Sequence, residues 1–255
     1  MANKNPDIIA SFGKGLRVIE AFSAESPRLS ITDVAEVTGL DRATTRRCLL
    51  TLHDLGYANY DGKFFSLTPR VLRLGMGALA SMPLPGVVQP WLDQLSEKIG
   101  QSASVSILDG TEIVYVARAA QRRVMSVGLM PGSRLPAHCT SMGRVLLAAL
   151  PETEARAVLD ASDLTPRTAF SLTDPADIMA RLAHVRADDF ALIDQEVELG
   201  LRAIAVPLRN IAGQTVAALN VGAAAVEGGV EVLTGQYLPE LRRVHSGLSR
   251  VINFR

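Results

Sequence analysis

Apolar positions in the first part of the chain recur at helical spacing and are interrupted by residues that end helices. Leu16, Val18, Ile19 and Phe22 suit one face of a helix over 13–22, which Ser26 and Pro27 stop. Ser30 stands where an N-cap belongs, and Asp33 three positions on completes a capping box. The helix that follows places Ile31, Val34, Ala35 and Thr38 on one stripe and ends at Gly39. Asp41 caps a third helix with an inward stripe of Thr45, Cys48, Leu49, Leu52 and Leu55. Its opposite face presents Arg42, Ala43, Thr44, Arg46 and Arg47. Short strands at 57–60 and 64–67 flank a tight Asp61-Gly62-Lys63 turn, a plausible wing.

Further on, Val71, Leu72, Leu74, Met76 and Leu79 predict a linker helix over 69–82, before a Pro83-Leu84-Pro85-Gly86 break. A helix at 87–99 and a hairpin of 102–108 with 112–117, turning at Asp109-Gly110, open the second part. Helices at 141–149, 152–159 and 175–187 are interspersed with strands at 190–194, 203–209 and 215–223. A long final helix over 230–251 carries Leu233, Tyr237, Leu241, Val244, Leu248 and Val251. No internal repeat or low-complexity tract interrupts this order, which belongs to the α+β class.

A length of 255 residues suits a small domain followed by a larger one. We place a winged helix-turn-helix at 1–68, a linker helix at 69–84 and a larger domain at 85–255. Hydrophobic residues at 48% and charged residues at 20% fit globular units. The 26 Lys and Arg balance 26 Asp and Glu, so a case for a polyanionic partner has to be local. Between 41 and 73 it is: Arg42, Arg46, Arg47, Lys63, Arg70 and Arg73 stand against Asp41, Asp54 and Asp61. Two separated cysteines, Cys48 and Cys139, fit a reducing compartment and offer no metal-ligand spacing; Cys48, on the inward stripe, reads as packing. The polar start at 1–6 lacks a signal core and no apolar run reaches membrane length, so the expectation is a cytoplasmic protein with no membrane partner, metal or cofactor.

A capped short helix, a Gly-containing turn, a longer helix bearing Arg and Thr, and a hairpin, in that order, point to double-stranded DNA. In a helix-turn-helix the second helix enters the major groove, where Arg can fork onto guanine and hydroxyls reach phosphate or base edges. The candidate DNA contacts are Ser30, Arg42, Thr44, Arg46, Arg47 and Lys63.

The stretch from Leu135 to Ala148 carries a second kind of chemistry. Pro136 fixes a loop, and Thr140 or Ser141 caps the next helix, leaving backbone N–H groups near Ser141, Met142 and Gly143. Such a helix end seats a small carboxylate, although the same residues serve equally well as a plain cap.

Gly13-Lys14-Gly15-Leu16-Arg17-Val18-Ile19, the helix-turn-helix at 31–57 and Leu135-Pro136-Ala137-His138-Cys139-Thr140-Ser141-Met142-Gly143-Arg144 resemble the isocitrate lyase regulator (IclR) family. Asp194-Gln195-Glu196 followed by Gly200-Leu201-Arg202-Ala203-Ile204-Ala205-Val206-Pro207 is similar to its other long signature. The resemblance implies a winged helix-turn-helix, a linker helix and a GAF-like effector-binding domain, assembled as a dimer or tetramer on a palindromic operator. It carries the effector pocket over to His138, Thr140, Ser141, Met142, Gly143, Asp194, Glu196, Ala203 and Asn220. The chain departs from many relatives at Ala203, where they have Cys, and at Asp189-Phe190, where they have Gly. Arg122-Arg123-Val124-Met125-Ser126 and the 135–148 loop look most like the subgroup controlling aromatic-acid breakdown through β-ketoadipate, which implies an aromatic acid or ring-cleavage product as effector.

Two other functions fit parts of the pattern. Adjacent His138 and Cys139 with Asp194 raise a cysteine-dependent hydrolase, but neighbouring side chains on a loop diverge and no nucleophile, metal or phosphate-loop motif accompanies them. A DNA-binding protein whose large domain only oligomerises would need no effector.

Overall fold

The structure, a computed structural model, describes residues 8–23, 26–81, 83–121 and 128–252. The polar start at 1–6, the 122–126 segment and Met82 at the end of the expected linker lie outside them. The chain divides into two units at Ser81 and Met82.

In the first unit, α1 (Ala10–Glu20), α2 (Ile31–Thr38) and α3 (Arg42–Asp54) pack around Val18, Val34, Leu49 and Phe65. Helix α1 starts and ends earlier than its apolar spacing predicts. Strands β1 (Ala58–Tyr60) and β2 (Phe65–Leu67) form the wing, and Leu29 adds a bridge to Phe65 that ties the start of α2 to it. The turn is one residue longer than expected: Asp61 Oδ1 accepts from the amides of Lys63 (3.0 Å) and Phe64 (2.8 Å), and Gly62 takes a φ of 100° that other residues resist. Leu55, placed on the inward stripe of α3 by spacing, is exposed because the helix ends at Asp54 and the chain turns away. Cys48 is half-buried against the same core. A single 3₁₀ turn, Pro69–Val71, leads into α4 (Leu72–Ser81).

The second unit is built on a six-stranded antiparallel sheet: β3 (Ser102–Asp109), β4 (Glu112–Ala119), β5 (Arg134–Pro136), β6 (Ala191–Asp194), β7 (Leu201–Arg209) and β8 (Thr215–Ala224). Their spatial order is β5-β4-β3-β8-β7-β6. One face is covered by α5 (Pro83–Ile99) and α10 (Leu238–Leu248), the other by α6 (Ser141–Ala148), α7 (Glu152–Asp160) and α8 (Pro175–Asp188). Strand β5 was not expected from the pattern, being three residues read as loop.

Two expectations are corrected by backbone chemistry. The Pro83 to Gly86 stretch is the first turn of α5 rather than a break, since prolines at a helix start lack only N–H groups that have no partner there. The last helix is not continuous: α9 (Val230–Val232) runs into a π-turn, Leu233–Tyr237, before α10. Pro239 has no N–H for the carbonyl of Gly235, and the Leu238 amide bonds instead to Leu233 O. At Asp189, φ is 61° where glycine would carry no strain, and Arg209 Nη1 donates to Asp189 Oδ2 at 2.9 Å.

Candidate functional site

The N-terminal half of α3 is set by Asp41, whose Oδ1 accepts from the Thr44 amide at 2.8 Å. This bond holds the Asp41 carboxyl below its usual range, so it stays ionised at the positive end of the helix. Arg42 and Arg46 are exposed, with no partner among the described residues. Thr44 is not an exposed donor as expected. It lies one turn before Cys48, on the inward side, and its hydroxyl accepts from Arg47 Nη2 at 3.4 Å. It braces Arg47 from beneath.

Ser30 is half-buried and engaged in the capping box: its Oγ accepts from Asp33 N (3.3 Å), and Asp33 Oδ2 accepts from Ser30 N (2.8 Å). On the wing, Lys63 Nζ lies 4.9 Å from the Phe64 ring centroid and the Arg28 guanidinium 5.3 Å from it, while Arg28 also pairs with Asp61. Arg28 was missed by sequence reasoning; the long-range Leu29 to Phe65 bridge brings it to the wing.

The second unit encloses a pocket between the sheet and the start of α6. Its floor is polar or small because strand alternation puts Ser102, Ser104 and Ser106 on one face of β3, opposite the apolar Ala103 and Val105. Register then aligns Asn220 of β8, Ser104 of β3 and Arg118 of β4 in one row across the sheet, with Gly222 and Ala203 in the row beside it. A bulge where Val105 gives way to Ser106 sets the register so that Tyr115 and Arg118 share this face despite their odd spacing. Arg118 Nη1 donates to Ser104 Oγ at 3.0 Å, whereas its buried Nε has no partner among the described residues, nor has Asn220 Oδ1. Burial pushes the Tyr115 phenol up to about 12, so it is neutral.

Above the floor, Thr140 Oγ1 accepts from the Gly143 amide at 3.1 Å, which leaves the Ser141 and Met142 amides as the open end of α6. Met142 Sδ accepts from Ser106 Oγ at 3.2 Å. The open space is about 40 Å³, room for roughly three waters.

Of the residues carried over from the family signature, Thr140, Ser141, Met142, Ala203 and Asn220 come together around this pocket. Four do not. Gly143 is packed, not open: a Cβ there would stand 2.1 Å from Ala137 O. Asp194 accepts from Arg202 Nε at 2.7 Å, and Glu196 is buried in a forked pair with Arg144, the Nη1 to Oε1 distance being 2.7 Å. His138 turns to the other side of the loop, toward the 162–167 segment. Sequence reasoning missed Ser102, Tyr115 and Arg118. Serines at alternate positions of an otherwise apolar strand were the available signal for the first; the bulge concealed the other two.

Cys139 and His138 do not form a nucleophile and base. Burial pushes the Cys139 thiol up to about 11, its Sγ lies 3.9 Å from Pro136 O, and neither His138 nitrogen has a partner among the described residues. Among those residues no group of three or more side chains could hold a metal ion, and no helix is long and apolar enough to cross a membrane.

A helix-turn-helix with a wing, joined in one chain to an α+β unit with a polar-floored pocket, defines a DNA-binding regulator of the effector-responsive kind. The model of the IclR helix-turn-helix domain matches residues 11–62, and that of the bacterial transcriptional regulator IclR C-terminal domain matches 76–250. The chain belongs to the IclR family of transcriptional regulators. It is 46% identical over 218 residues to the Pca regulon regulatory protein of Pseudomonas putida, covering 85% of this chain and 75% of that one. It is 39% identical over 254 residues to the p-hydroxybenzoate hydroxylase transcriptional activator of Acinetobacter baylyi, covering 98% and 94%. A solved inducer-binding domain of the PobR transcription factor from Acinetobacter, in complex with 3-hydroxybenzoic acid, is 36% identical with a TM-score of 0.64, covering 67% of this chain and all of that one. These relatives are named as regulators, not enzymes.

Proposed function

We propose that this regulator responds to a hydroxylated aromatic carboxylic acid bound between the sheet floor and the start of α6. The observation that carries the reading is the convergence of two unpartnered buried atoms, Arg118 Nε and Asn220 Oδ1, on one pocket. Arg118 is half-buried, and a guanidinium whose Nε is shut from solvent without an acceptor favours a ligand that supplies a carboxylate; an orphan amide oxygen asks for a donor such as a ring hydroxyl. The small residues Ser104, Ala203 and Gly222 leave a flat floor for a ring, and the Ser141 and Met142 amides add donors. The hydroxybenzoate in the PobR complex is the same class of molecule.

On this reading Arg42 and Arg46 meet base edges, Arg47 is steadied by Thr44, and Ser30 and Lys63 contact phosphate. The protein works in the cytoplasm as a dimer or tetramer on a palindromic operator. The test is an operator-binding assay repeated with a panel of hydroxybenzoates, benzoate and short-chain acids. Hydroxybenzoates are expected to shift operator affinity; Arg118→Met is expected to abolish the shift and leave ligand-free binding intact. Response to short-chain acids alone would overturn the assignment. Arg46→Ala should cost about 1–3 kcal/mol at the cognate operator and change base preference, whereas Lys63→Ala should weaken all sequences alike.

A further inference from the structure

A second cavity, of about 370 Å³, opens between the edge of the sheet at β4 and β5 and the 162–167 segment, a volume in the range of small-molecule sites. His138 lies against it, almost fully buried, and neither ring nitrogen has a hydrogen-bond partner among the described residues. Buried polar groups without partners are rare in folded proteins, and an imidazole with both nitrogens idle calls for a ligand. Two opposite charges flank it. Asp163 spends Oδ1 on the Thr165 amide (3.0 Å) and hydroxyl (2.6 Å) and keeps Oδ2 open; Arg167 spends only Nε, on Val197 O at 3.3 Å, and keeps both Nη groups open. The third charge, Glu112, is already answered by Arg134 Nε at 2.6 Å. Pro136 and Pro166 supply apolar walls.

We propose that this cavity is a second small-molecule site and that it takes a zwitterion of the amino-acid class. The carboxylate forks onto Arg167, and the ammonium donates to Asp163 and to the unprotonated nitrogen of His138. A simple anion would face the Asp163 carboxylate, and a simple cation would face Arg167; a zwitterion answers both and leaves no charge over. Burial and the nearby Arg144 lower the His138 pKa, which keeps the ring neutral and one nitrogen free to accept. The cavity lies on the other side of the 137–140 loop from the Arg118 pocket, so the two can be filled together.

The experiment is NMR of the histidine ring signals of the full-length protein, which has 4 histidines, titrated with L-proline and L-leucine and, as half-ligands, propionate and propylamine. His138→Gln assigns the signal; if that variant does not fold, replacing the other histidines assigns it by elimination. The amino acids are expected to move the His138 resonance saturably, the half-ligands at least about tenfold more weakly, and Asp163→Asn or Arg167→Gln to weaken the amino acids by about tenfold or more. Arg118→Met should leave this titration unchanged. No movement of the His138 signal at millimolar amino acid, equal affinity for propionate, or loss of the effect in Arg118→Met would each overturn the proposal.

Discussion

Glu196 shows how a residue can belong to a signature and serve the fold. Its carboxylate meets Arg144 in a buried fork, Arg144 Nε donates to His138 O at 3.0 Å, and Ser171 Oγ donates to Glu196 O at 2.6 Å. The pair therefore ties α6, which carries the pocket-lining Ser141 and Met142, to the loop after β6. Removing one partner strands the other charge in a dry site, at a cost of about 3–5 kcal/mol. Glu196→Leu is thus expected to lower the urea midpoint steeply, and Arg144→Met with Glu196→Leu to recover much of the loss; equal damage from the single and double variants would show that the pair's charges are not the issue. At this scale the chain was legible in part. Thr140 as a cap and Met142, Ala203 and Asn220 as lining follow from the motif and strand positions. Arg118 was not legible, because strict alternation from Tyr115 assigns it to the opposite face and only the bulge returns it. His138, Asp194 and Glu196 do not line this pocket, because a motif records which residues are present, not toward which side of a loop each one points.

Among the elements, the helix-turn-helix was the most legible, since caps are local: Ser30 with Asp33, and Asp41 as the cap of the third helix, are read from the sequence and found so. The π-turn before α10 and strand β5 were not, because apolar spacing does not register one missing N–H or a three-residue pairing across the sheet edge. The caps carry a pH dependence of definite sign. Backbone hydrogen bonds from Ser30 and Thr44 hold Asp33 and Asp41 below the ordinary carboxylate range. A group whose folded pKa is depressed contributes stability above its unfolded value, about 4, and loses it as pH falls through the lower folded value. Helix α2 and α3 stability should therefore be level from neutral pH down to about 5 and decline below about 4. Circular dichroism melts across this range test it. Asp33→Asn should flatten part of the acid decline, and an unchanged slope in Asp33→Asn with Asp41→Asn would remove the caps from the account.

At the scale of the molecule, the first unit presents an apolar stripe that its own core does not use. Ile8, Ile9, Phe12 and Leu16 are 67%, 72%, 67% and 41% exposed; Phe12 and Leu16 stand one turn apart on α1, and Ile8 and Ile9 immediately precede it. Val18, on the other side of the helix, is fully buried, so α1 already anchors its own unit and the outer stripe is spare. Burying such a side chain gains about 1.5–3 kcal/mol, and a two-fold pairing of the stripe with itself covers it on both copies at once. The palindromic operator proposed above would ask for the same two-fold axis, each recognition helix reading one half-site. On that proposal the pairing of heads and the symmetry of the operator are one requirement. Phe12→Glu should leave affinity for an isolated half-site unchanged and lower affinity for the intact palindrome by about tenfold or more, since a second head already tethered to the first binds at high effective concentration. Sedimentation should show weaker self-association in the same variant. Equal affinity of the parent protein for half-site and palindrome would mean that the heads act singly, and the exposed stripe on α1 would then need another occupant.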